Sequence, residues 1–137
     1  MKRQIKITKS DKERLQKIIS GLLQTDLDGK EHVRDLVAEL DRADVVDPDQ
    51  IPPNVITMNS KVLLSFGEPE EDITYSLVFP EDADISDNRL SILAPIGTAI
   101  LGFREGDIIE WNVPDGIIMV TVKKVLYQPE AAGYFES

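Results

Sequence analysis

The eighteen residues from Leu90 to Asp107, LSILAPIGTAILGFREGD, constrain the fold more than any other stretch, because the apolar period changes inside them. Leu90 and Ile92 alternate as in a strand. Pro95 then takes a position where a first helical residue tolerates a missing N–H, and Ile96, Ile100 and Leu101 recur at helical spacing. Gly102 and Gly106 stop the helix. Two strands follow, Asp107 to Val113 and Ile117 to Tyr127, joined by Pro114-Asp115-Gly116. A strand, a short apolar helix and a covering hairpin result.

Upstream, Ile5 and Ile7 suggest a short strand or extended arm. Ser10 with Glu13, or equally Thr8 with Asp11, caps a first helix whose stripe is Leu15, Ile18, Ile19, Leu22 and Leu23. Val33, Leu36, Val37 and Leu40 repeat that spacing on a second helix, so the pair reads as an antiparallel hairpin with arms of about 22 Å. Pro48, Pro52 and Pro53 mark a linker with one helical turn at Pro48 to Gln50. The domains predicted are therefore residues 1–47, the hairpin, and residues 48–137. Val55 to Phe66 and Asp72 to Phe79 read as paired strands around an acidic turn, Pro80 to Asn88 as a polar loop, and Gln128 to Ser137 as a surface tail.

Charge narrows the partner. Residues 1–45 hold ten Lys/Arg against nine Asp/Glu, whereas residues 46–137 hold five against sixteen. This balance argues against a free-standing nucleic-acid binder and leaves two readings, a basic protein partner or acid that keeps the domain soluble. Zero cysteines remove disulfides and thiolate chemistry, and a single histidine, His32, leaves no triad or imidazole zinc set. No apolar run approaches the ~20 residues of a membrane span, so a cytoplasmic chain without membrane contact is predicted.

The anchor stretch with its paired strand resembles the C-terminal domain of the bacterial Gre transcript-cleavage factors. Three further blocks, Glu39-Leu40-Asp41-Arg42-Ala43, Val55-Ile56-Thr57-Met58-Asn59-Ser60 and Tyr127-Gln128-Pro129-Glu130-Ala131-Ala132-Gly133, are similar to the Rnk branch of the GreA/GreB family. The resemblance implies an α+β fold, a short N-terminal helical hairpin (coiled coil) followed by an FKBP-like antiparallel sheet wrapped on one short helix.

Asp28 and Glu31 form a D-x-x-E in the hairpin turn, beside Asp26. In Gre factors such a pair at the tip of considerably longer arms holds a Mg²⁺ for two-metal RNA hydrolysis. An aspartate N-cap with a glutamate at N3 is equally a capping box. The turn also mimics a calcium loop, but Gln24 would fall first, where a carboxylate belongs, and Asp35 last. A prolyl-isomerase pocket under the helix would use Trp111, whose alternation with Ile109 and Val113 is accounted for by core packing.

The corner before the short helix, an Asp-Ser-Pro contact in Gre factors, reads Leu93-Ala94-Pro95 here, with Ile96 following. Only the proline is kept. The four residues are candidates for an apolar contact on the polymerase rim, or else for the core. With the short hairpin, the resemblance implies a monomer that occupies the entry of the RNA polymerase secondary channel and competes with Gre-type factors without stimulating cleavage. No catalytic residue, metal or cofactor is predicted. The alternative is an active cleavage factor with Asp28 and Glu31 positioning a catalytic Mg²⁺.

Overall fold

A computed structural model describes residues 5–22, 31–67, 71–114 and 116–129. Strand β1 (Lys6–Ile7) leads into helix α1 (Lys9–Leu22), and α2 (Glu31–Asp41) returns to β2 (Asp44–Val45), which pairs in parallel with β1. Of the two capping alternatives the chain uses Thr8, whose Oγ1 accepts from the Asp11 amide at 3.3 Å. The stripes behave as their spacing requires: Leu15, Ile19, Val33, Leu36 and Leu40 are buried, with Ile18 and Val37 packed at the margin.

The body is a five-stranded sheet in the order β5-β4-β3-β7-β6, with β3 (Lys61–Phe66), β4 (Glu71–Val78), β5 (Arg89–Ser91), β6 (Ile108–Val113) and β7 (Gly116–Tyr127). It is not wholly antiparallel. The connection from Phe79 to Asn88 folds into two 3₁₀ turns, Pro80–Asp82 and Ile85–Asp87, and carries the chain back so that β5 runs parallel to β4. Along the strands burial alternates. Val62, Leu64, Leu77, Leu90, Ile109, Val120 and Val122 line an inner face that joins α3 (Pro95–Ile100) in the core.

The first strand of the body is shorter than the apolar pattern suggests. Val55 to Ser60 is not strand but a buried turn: the Thr57 amide donates to Ser60 Oγ at 2.9 Å, the two hydroxyls lie 3.0 Å apart, and Asn59 takes a left-handed φ of 67°. Periodicity cannot separate a buried turn from a strand when both are apolar. The start of the expected tail is likewise inside. Gln128 is buried, and its Nε2 donates to the carbonyls of Pro52 and Val55 at 2.8 and 2.7 Å. The Pro52 carbonyl also accepts from the Val55 amide at 3.2 Å, so Gln128 adds a second donor there and satisfies the buried Val55 carbonyl, which is why a polar residue is drawn in.

One continuous core cluster runs from Ile5 through both helices of the hairpin to Val122, so the helical region and the sheet share an interior. The junction is tight at Gly102, where φ is +90° and a Cβ would stand 2.9 Å from Ile5 Cγ1. Gly102 N donates to the Ile56 carbonyl at 2.9 Å, and the Ile56 amide to Phe103 O at 2.9 Å.

Candidate functional site

Helix α3 is set by its sequence. Ala94 is an extended N-cap without a side-chain bond, Pro95 occupies N1, and the helix lasts six residues before Leu101 and Gly102 turn the chain away. Its closeness to β5 depends on Gly97, where a Cβ would lie 2.1 Å from the Ser91 carbonyl oxygen. Thr98 is buried, and its hydroxyl donates to Pro95 O at 2.9 Å. The Leu93 amide donates to Ser91 Oγ at 3.0 Å, which fixes the bend between strand and helix.

This bend divides the four candidate contact residues. Pro95 is exposed, Leu93 and Ala94 are half-buried against the core, and Ile96 is buried. A partner at this corner would meet the proline ring with the edges of Leu93 and Ala94, while Ile96 supports them from below. Of the three tip candidates, Asp26 and Asp28 lie outside the described residues; Glu31 opens α2, and its side chain lies outside as well. The capping-box and calcium-loop readings of that turn fall there too.

Trp111 is only partly buried. Its ring meets Phe66 edge-on at 6.3 Å between centroids, and Phe66 meets Tyr75 at 6.4 Å and 83°. This aromatic row continues the inner face of the sheet, since Trp111 alternates with buried Ile109.

The hairpin is fastened to this body on two sides. Helix α2 packs against α3, and from α1 the Arg14 guanidinium lies 3.8 Å above the Phe79 ring while pairing with the Glu81 carboxylate. Sequence patterning missed Arg14, because its partners follow β4 and sit more than sixty residues away. Nothing in the local sequence marks such a contact.

The only carboxylate whose titration is clearly displaced is Asp84, among the described residues. The Ser86 hydroxyl above all holds it below the ordinary aspartate range against the opposing effect of desolvation, and the Ser86 amide and Arg89 add to the lowering. It organises the 3₁₀ turn Ile85–Asp87 and no reactive centre.

Comparison with known proteins places these elements in one family. Residues 51–127 match the family model described as transcription elongation factor GreA/GreB, C-terminal, and residues 3–46 match the Rnk N-terminus. The regulator of nucleoside diphosphate kinase from Escherichia coli K12 is 43% identical over 99 residues, covering 72% of this chain and 73% of its own. GreA from Clostridium acetobutylicum is 37% identical over 78 residues, 57% of this chain, and the match spans about half (49%) of that longer relative. A solved GreA/GreB-type elongation factor from Nitrosomonas europaea superposes with a TM-score of 0.77 at 44% identity, over 90% of this chain and all of that one. With both halves matched in order and the fold shared over most of its length, the chain belongs to the GreA/GreB family of transcription elongation factors, in its Rnk branch.

Proposed function

We propose that the protein is a cytoplasmic, monomeric regulator that docks on RNA polymerase through the α3 corner, fills the entry of the secondary channel and excludes Gre-type factors without promoting RNA cleavage. The observation that carries this reading is the short, rooted hairpin. Helix α1 has 14 described residues, about 21 Å. A finger of that size, fastened to the body by Arg14 and by α2 on α3, suits obstruction of an entrance better than delivery of carboxylates deep inside. The arrangement of one short helix against a five-stranded sheet supports the FKBP-like description of the body, and the two facing stripes support a short coiled coil.

Docking by Pro95 with Leu93 and Ala94 is an apolar contact at a bend whose backbone is already fixed, which lowers the ordering cost of association. A capture experiment with purified core polymerase tests it. The protein should retain polymerase, Pro95→Asp should lose most of that binding, and an added Gre factor should displace the protein. A stalled elongation complex distinguishes the two family activities: its RNA stays unchanged in length under obstruction, whereas shortening that disappears with Asp28→Ala or Glu31→Ala would establish the cleavage alternative and overturn the reading.

A further inference from the structure

The outer face of the sheet carries a polar groove of about 370 Å³ whose lining holds Lys61 and Arg89 against one carboxylate, Asp87, a basic balance unlike the rest of the acidic half of the chain. Strand register sets it out. Arg89 on β5 pairs with Ser76 on β4, Ser76 with Lys61 on β3, and Lys61 with Tyr127 on β7, so these four residues form one row across the sheet. Their neighbours Val62, Leu77 and Leu90 are buried, hence the row faces away from the core. Directly opposed positions stand about 5 Å apart, which places the two cations on either side of the Ser76 hydroxyl.

Residues 46–137 hold five basic side chains against sixteen acidic, and two of those five meet here. Lys61 makes no ion pair among the described residues. Arg89 pairs with Asp87 through Nε at 3.3 Å, one contact of a guanidinium that carries five N–H donors and can serve a second acceptor. The rim is built in advance. Asn88 takes a left-handed φ of 54°, and its side-chain amide donates to the Thr74 carbonyl at 3.0 Å, tying the turn to β4. Asp84 holds the preceding turn through Ser86, and its backbone exchanges two hydrogen bonds with Arg89, at 3.0 and 2.9 Å. Arg89 therefore projects from a braced position.

We propose that this groove binds the phosphate group of a small molecule, with Lys61 and Arg89 neutralising it and the Ser76 hydroxyl donating between them. A guanidinium, an ammonium and a hydroxyl side by side across three strands and lining one groove form a donor set for a phosphoryl oxygen cluster. The volume lies within the range of small-ligand sites. A long polyanion is disfavoured, because the cationic surface is confined to one row in a chain of net charge −10. The groove opens on the face opposite α3, so the assignment stands independently of polymerase docking.

Backbone amide chemical shifts of the full-length ¹⁵N-labelled chain, followed during titration with inorganic phosphate and separately with AMP at constant ionic strength, test the site. Saturable shifts confined to Lys61, Thr74 to Ser76, Asn88 and Arg89 are expected. Lys61→Gln and Arg89→Gln should each weaken binding by about tenfold or more. Both positions are exposed, so an unchanged melting temperature is expected for both variants. Shifts that fail to saturate, or that persist unaltered in both variants, would show only an ionic-strength effect and overturn the site. A single-stranded RNA oligomer that shifted the same residues at lower concentration than AMP would overturn the small-molecule assignment.

Discussion

In the helical region, the buried side chains Leu15, Ile19, Val33, Leu36 and Leu40 come from one stripe on each of two helices, and the opposite sides of those helices face water. In the sheet, burial alternates residue by residue, and the outer face holds Lys61, Ser76 and Arg89 together with exposed Ile108, Ile117 and Met119. The two regions differ in what fixes them. A strand is held by its ladder as well as its side chains, whereas among the described residues the hairpin's own ladder is the two-residue β1–β2 pairing, separate from the five-stranded sheet, so it must be held by contacts at its base. Those contacts are Ile5 on Gly102, α2 on α3, and Arg14 on Phe79 and Glu81. A short hairpin with three attachments to its body is a fixed projection, and its orientation is set by residues of the body.

The comparison breaks most completely at Gly97. A methyl there would meet the Ser91 carbonyl oxygen at 2.1 Å, a backbone atom that cannot swing aside, so Gly97→Ala should cost about 3 kcal/mol or more. Because α3 supports both the sheet and α2, helical circular dichroism and Trp111 fluorescence should be lost together at a lower denaturant concentration.

Gly102→Ala sharpens it. The residue combines a φ of +90° with an approach of 2.9 Å to an Ile5 side-chain carbon, for a loss of about 2 kcal/mol. Here the injury falls on the junction, so amide exchange should quicken in β1, β2 and α1 while the β3–β7 ladder keeps its protection. Equal acceleration in both regions would mean that the hairpin has no separable stability.

Arg14→Ala removes a cation–π contact and a solvent-exposed ion pair, together about 1 kcal/mol. The loss should appear as a small fall in melting temperature and as wider angular spread of the hairpin in spin-label distance measurements, with the sheet unchanged. A hairpin that stayed equally fixed would put the whole restraint on α2 and α3.

The smallest effect belongs to Asp84. Its carboxyl is lowered in the folded state, so the turn it organises is fully supported above the ordinary aspartate value and loses that support as pH falls through the lower folded value. The Ser86 amide resonance should titrate over that acidic interval, and Asp84→Asn should abolish the titration. Because the group is exposed, the global melting temperature should hardly respond.

Much of this architecture is visible in one dimension. The Pro95 start, the Gly102 stop and the 3.6-residue stripes place α1, α2 and α3, because capping and amphipathicity are local properties of the chain. The turn at Thr57 to Ser60 and the burial of Gln128 were not visible, since their partners lie elsewhere or mimic strand periodicity. The apolar corner could be assigned as a group, but its division into exposed Pro95, half-buried Leu93 and Ala94 and buried Ile96 depended on where β5 delivers the helix.

By itself, then, the sequence determined the order and kind of the elements, the asymmetry of charge and the family motif, all properties carried by residues within a few positions of one another. The tertiary structure alone decided that β5 runs parallel to β4, that Arg14 reaches Phe79 and Glu81, and that Lys61 and Arg89 share a groove. Each of these joins residues far apart in the chain, and sequence periodicity holds no record of which distant residue a fold will bring alongside.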